Sequence, residues 1–210
     1  LSAFIPYANE LGFFLDLTEI CNIIMTSSQG TSDAGFPMVT PVLIDVIFLL
    51  GSHLSASPQA TVLEPRFLSI VQGSVSHILS FTATMPGTTV TSNYSHWIVL
   101  GAIQSHVLLA QYYFLTGRKL EGRYSVTIAI ALMTIGRDNH TSGVFLSGSE
   151  TPQTQFQGEK EENECINAFW TVLALNSRWA AVEGHGSSFP YWKPVMKVDT
   201  PWPWVSYLQV

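Results

Sequence analysis

Apolar residues recur at helical spacing along most of this 210-residue chain. Leu43, Val46, Ile47, Leu50 and Leu54 follow the i, i+3, i+4, i+7 rule of a helix that turns one stripe toward a core. Phe67, Ile70, Val71, Val75, Ile78 and Leu79 repeat that period. No alternating run of useful length supports a strand. The pattern predicts helices over Leu17 to about Met25, Pro41 to about Leu50, Pro65 to about Phe81, Tyr94 to Leu115 and Leu120 to Ile135. A further helix runs from the acidic stretch Glu159–Glu164 to about Val182. The fold class is all-α.

The residues between these stripes carry start and stop chemistry. Asp16 followed by Glu19 makes a capping box, in which each side chain can accept backbone donors left open at a helix start. Thr40-Pro41 pairs an N-cap hydroxyl with a proline at the first helical position, where the missing N–H costs nothing. Pro65 opens the next helix by the same logic. Ser27–Phe36 and Met85–Asn93 read as breaks, the second as an internal hinge. Thr116-Gly117-Arg118-Lys119 is a short turn whose glycine suits a left-handed helix end, so the helices on either side form a central antiparallel hairpin. Gly136 ends the second helix of that hairpin, and residues 137–157 form a mobile surface loop. Gly184-His185-Gly186 stops the last long helix. An extended Pro/Trp-rich tail follows, with Phe189, Tyr191, Trp192, Trp202 and Trp204 among its rings. It serves either as an intramolecular clamp or as a partner surface.

Composition narrows the function. The chain is 47% hydrophobic and only 11% charged, which favours one compact body with protein neighbours. Its net charge of −6 excludes strong nonspecific grip on a phosphate backbone. Arg118, Lys119 and Arg123 are the one basic concentration, diluted by Glu121. Two cysteines, Cys21 and Cys165, are too few for a disulfide framework or a cysteine-built zinc site and read as free thiols. Trp97–Leu115 is long enough to span a bilayer, but Gln104, Ser105, His106 and Gln111 near its middle argue against a membrane. The first residue is Leu1, and residues 1–25 lack the pattern of a secretory signal, which points to a fragment of a longer chain.

Catalytic and metal-binding motifs are missing. His53, His77, His96, His106, His140 and His185 never fall into a two-histidine zinc spacing and look unrelated. His106, inside an apolar helix, reads as a hydrogen-bonded core or groove histidine, with a ligand pocket as the alternative. Ser147 and Ser187 sit beside glycines without a nucleophile elbow. Glu159, Glu161, Glu162 and Glu164 read as a solvated charge run at a helix start rather than as a metal cluster. Asn93-Tyr94-Ser95 and Asn139-His140-Thr141 match the glycosylation acceptor pattern incidentally. No residue is assigned a catalytic, cofactor-binding or metal-binding role.

Several segments together resemble the fungal-specific transcription factor domain, the regulatory middle region of fungal zinc-cluster transcription factors, in the form found in mushroom-type fungi. They are Gly12-Phe13-Phe14-Leu15 after an aliphatic opening helix, Pro41–Leu54, Glu64-Pro65-Arg66-Phe67-Leu68, Gln104–Leu109, Leu115–Tyr124, Glu164–Trp179 with its Phe169-Trp170 pair, and Asp199-Thr200-Pro201-Trp202-Pro203. Gly117-Arg118-Lys119-Leu120-Glu121-Gly122-Arg123-Tyr124 is the most specific of them. Asn176-Ser177 stands where that family has Asp and a basic residue, and Gly184-His185-Gly186 replaces a Gly-basic-Pro turn, changes that weaken a buried ion pair or alter a groove.

The resemblance implies a single regulatory domain over residues 1–210, with about seven helices. It would act in the nucleus on RNA polymerase II transcription through a homodimer, a coregulator or a small-molecule effector. DNA binding and zinc would belong to an N-terminal cluster of six cysteines that is absent from this chain. The rival readings are a helical scaffold or interaction protein without DNA binding, marked by a filled core, and a helical enzyme with an apolar pocket.

Overall fold

A computed structural model describes residues 1–27, 40–83, 92–141, 152–184, 186, 202 and 203. These form an all-α body of six α-helices: α1 Leu17–Ser27, α2 Pro41–His53, α3 Pro58–Ala83, α4 Ser92–Leu115, α5 Lys119–Thr141 and α6 Pro152–Glu183. The expected opening helix is instead a set of turns around a short 3-10 segment, Ile5–Tyr7, so the described helices number six rather than about seven. Gly12 ends those turns with φ +78°, while its N–H donates to the Asn9 carbonyl and the Phe13 N–H to the Ala8 carbonyl.

The opening segment is a plug. Phe4, Ala8, Leu11, Phe13, Phe14 and Leu15 are buried, and Phe4 meets Phe13 edge-on at 5.7 Å. Its extended end cannot bond to itself, so α4 supplies the partners. The Phe14 N–H donates to Gln104 Oε1 at 2.7 Å, Gln104 Nε2 donates to the Gly12 carbonyl at 3.2 Å, and Gln111 Nε2 reaches the Leu11 carbonyl. Gln104 is thus fully buried in an apolar helix because it completes the backbone of another segment. Ser105 spends its hydroxyl on the Gly101 carbonyl of its own helix. Trp97–Leu115 remains long and apolar enough to cross a membrane, yet most of it is buried here, so core packing accounts for its apolarity.

Helix α4 is the axis of the body. It pairs with α5 as the central hairpin, packs on α2, and receives α6, which also lies along α5. The hairpin turn is the expected one: Gly117 has φ +76°, its N–H donates to the Phe114 carbonyl, and the Arg118 N–H donates to the Tyr113 carbonyl at 2.7 Å. This reciprocal pair satisfies carbonyls that the end of α4 leaves open. Gly122, one turn into α5, lies directly against the Phe114 ring.

Several boundaries differ from the sequence expectation. Helix α3 opens at Pro58, where the Ser57 carbonyl accepts the first helical N–H groups, and Pro65 lies inside it. Both prolines fit a first turn locally; an interior one leaves the carbonyl four residues back without its donor, and here that carbonyl belongs to exposed Thr61. Helix α5 runs through Gly136 to Thr141, and α6 begins at Pro152, so much of the loop expected over 137–157 is helical. One interior glycine costs about 1 kcal/mol against alanine, too little to end a helix already propagating. Residues 142–151 lie outside the described residues.

The caps are only partly as read. Asp16 Oδ1 accepts from the N–H groups of Thr18 and Glu19, but the Glu19 carboxylate takes Lys160 Nζ on α6. Thr40 has the extended backbone of an N-cap, and its carbonyl accepts the Leu43 N–H at 2.9 Å. Its hydroxyl makes no capping bond, because the side chain is turned onto Gly101 of α4. Gly184, with φ +70°, closes α6 as expected.

Candidate functional site

Polar side chains from three helices converge at one junction. His53 ends α2, Glu64 lies on α3, and Tyr112 lies near the end of α4. Tyr112 donates its hydroxyl to Glu64 Oε1 at 2.8 Å, and His53 Nδ1 stands 3.0 Å from the same oxygen. The imidazole meets the Tyr112 ring edge-on at 5.5 Å. About two turns along α3, Gln72 Nε2 donates to the Tyr113 hydroxyl at 3.2 Å, and Arg118 lies over the Tyr113 ring at 4.8 Å. Burial raises the Tyr112 pKa, and the hydrogen bond and negative charge of Glu64 raise it further. The phenol therefore stays a donor at neutral pH. Chemically, this is a carboxylate bridging two helices and a histidine whose Nδ1 is engaged.

A second constellation joins the hairpin to α6. Phe114 stacks on Trp179 with centroids 3.6 Å apart and planes 19° from parallel. Beside them is a cavity of about 20 Å³ lined by Arg123, Val126, Asn176 and Glu183 as well as the two rings. Arg123 Nε is 3.5 Å from Glu183 Oε2, and the Trp179 Nε1–H is buried without a hydrogen-bond acceptor among the described residues. A cavity of about 10 Å³ lies between α1 and α6 beside Asp16, Glu19, Trp97 and Glu164. Each has room for about one water, against the roughly 300–1,000 Å³ of small-molecule pockets.

The sequence-flagged residues separate into these places and others. His106 is buried in α4 as read, but its Nδ1 has no hydrogen-bond partner among the described residues and it lines neither cavity. Burial lowers its pKa to about 4, so it is neutral near pH 7. Phe169 is buried in the core, and Trp170 and Trp179 are partly buried against it. Glu164 is buried rather than solvated, which corrects the reading of the acidic run; Glu162 is exposed, and the side chains of Glu159 and Glu161 lie outside the description. Among the described residues no group of three His, Cys, Asp or Glu is placed to hold a metal.

The basic concentration is partly neutralised from within. Arg118 bonds Glu121 through Nη2 at 2.8 Å, and Arg123 pairs with Glu183. Cys21 on α1 and Cys165 on α6 form no disulfide, and burial raises the Cys21 pKa. Of the tail, Trp202 and Pro203 are described; Trp202 lies 4.3 Å from Trp170 with most of its own surface open. That contact is the clamp half of the tail's two readings. The side chains of His77, His96 and His140, the whole of His185, and Ser147 and Ser187 lie outside the described residues.

Sequence reading missed the junction of His53, Glu64 and Tyr112. Its members are 11 and 48 residues apart, and none belongs to a recognisable spacing. The one local signal was a carboxylate, Glu64, at a position that helical periodicity turns toward the core. No family model, no curated protein and no solved structure matches this chain.

Proposed function

We propose that this chain is the regulatory middle domain of a fungal zinc-cluster transcription factor. It acts in the nucleus on RNA polymerase II transcription through a coregulator, a second copy or a small effector, and carries no catalytic residue. Its DNA contact, and the zinc that goes with it, come from a cysteine cluster outside these residues. The observation that carries the reading is the hairpin. Gly117–Tyr124, the stretch in which the resemblance is most specific, forms a tight turn with Gly117 left-handed and Gly122 against the Phe114 ring. Both glycines of that stretch thus have a physical reason to be there. Placement of the Phe169-Trp170 helix against the same hairpin supports the reading as well.

The test is a fusion of residues 1–210 to an unrelated DNA-binding module in fungal cells, with a reporter under that module's sites. The fusion is expected to change reporter output relative to the module alone, while the isolated chain shows no sequence-selective DNA binding in an anisotropy titration. A stable, nuclear fusion that leaves output unchanged would sink the proposal, and so would salt-resistant, sequence-selective binding by the isolated chain.

A second reading, a helical scaffold or interaction domain without an effector, is favoured by the two cavities, each about one water in size. It separates from the first in the same assay, since a scaffold leaves the reporter unmoved.

A further inference from the structure

At the tip of the central hairpin the surface reverses the character of the rest of the chain. Leu115, Leu120 and Tyr124 are 54%, 77% and 65% exposed, all within about two helical turns of Gly117. Leu120 and Tyr124 are four residues apart on α5, so their side chains adjoin on one outward face. Arg118, Lys119 and Arg123 flank them. Residues 115–124 hold three cations and one carboxylate, a net charge of +2, in a chain whose total is −6. The other 200 residues therefore carry −8.

We infer that the hairpin tip docks an acidic amphipathic helix of a partner protein. Such a helix presents apolar side chains at i, i+3 or i+4, which fit over Leu115, Leu120 and Tyr124, with carboxylates at its edges facing the three cations. Charge decides the occupant. An acidic partner meets net positive charge at residues 115–124 and net negative charge over the rest of the sequence, so charge favours the tip as the place where the encounter ends. Arg118 and Arg123 already have carboxylate neighbours, Glu121 and Glu183, and their side chains are 37% and 46% exposed, while Lys119 is exposed. An anionic membrane is the poorer fit: stable attachment through basic residues takes a cluster of about four to eight, and the tip has three. A scaffold and a transcription factor would use the tip in the same way.

The experiment is a fluorescence anisotropy titration of the whole 210-residue chain with a labelled helical peptide of leucine and glutamate at amphipathic spacing. The same peptide with lysine for glutamate, and phosphatidylserine vesicles, serve as the other probes. Binding of the glutamate peptide is expected, weakening with added salt and falling about tenfold or more in the double variant Lys119→Glu, Leu120→Ser. Val62→Ser, on the exposed face of α3, should leave it unchanged. Both variants are surface changes, and thermal melts check that they fold. Several results would each overturn the inference: no binding, equal binding of the lysine peptide, double-variant binding equal to the parent, or tip-dependent binding of the vesicles in preference to the peptide. Self-association of the chain through the tip, seen by sedimentation, would do the same by assigning the surface to a second copy.

Discussion

The Phe114 ring lies so close to Gly122 that a Cβ on Gly122 would stand 2.6 Å from Phe114 Cε1. The same ring is stacked on Trp179, so Phe114 touches both α5 and α6. Alanine normally gains about 1 kcal/mol over glycine inside a helix. Here the clash should win, because the ring cannot retreat without breaking its stack, and overpacking costs about 1–3 kcal/mol. Gly122→Ala is expected to lower the melting temperature by several degrees. Gly73 on α3 has open space where a Cβ would go, so Gly73→Ala should raise it or leave it unchanged. Calorimetry on the two variants checks both signs.

Phe169→Ala should cost about 3–5 kcal/mol, since the ring is buried in the common core and its removal leaves a cavity. That is a large part of a typical domain's stability. Val62→Ser, on an exposed position, should stay within about 0.5 kcal/mol of the parent. Urea denaturation of the two side by side gives the difference, and equal midpoints would place Phe169 outside the core.

Gln104→Leu removes a group that serves another segment. It leaves the Phe14 N–H and the Gly12 carbonyl without their partners, at about 1–3 kcal/mol for each buried polar group stranded. Loss of stability should come with fast hydrogen exchange of the Phe14 amide. If that amide stays protected, its bond to Gln104 does not hold the plug.

Acid should destabilise the fold through His106. Its pKa is lowered to about 4 when folded, from an ordinary value of 6.5, because burial penalises the charged ring. Above about pH 6.5 both states are neutral there and the group contributes no pH dependence. As pH falls from 6.5 toward 4 the unfolded chain takes up the proton and the folded one resists, so stability declines by up to roughly 3 kcal/mol. His106→Leu should flatten that part of the stability–pH curve. An unchanged slope would show that His106 charges freely in the folded state.

Helix α3 is held by polar tethers as well as by apolar packing on α2. Val71 is its one fully buried apolar side chain among those described, while Glu64 and Gln72 tie it to α2 and α4. Glu64→Gln weakens a charge-assisted bond of about 1.5–3 kcal/mol, and local opening tracks such losses. Amides of α3 should exchange faster in Glu64→Gln while those of α4 and α5 keep their protection. Uniform acceleration across all helices would show that α3 does not open by itself.

The sequence alone determined what neighbouring residues settle among themselves. Apolar periodicity fixed the helices, Asp16 capped α1, and the glycines at 117 and 184 set left-handed ends, because these interactions span no more than a few residues. Where two local answers were equally good, tertiary structure chose: Pro58 rather than Pro65 opened α3. Partners distant in sequence were decided in three dimensions. Thr40 could have capped its own helix but turned onto Gly101, and Glu19 left the capping box for Lys160. Gln104, a polar residue that seemed only to argue against a membrane, completes a backbone 90 residues away. His53, Glu64 and Tyr112 meet for the same reason. A buried polar group must find a partner, and the fold determines which distant group is close enough to serve.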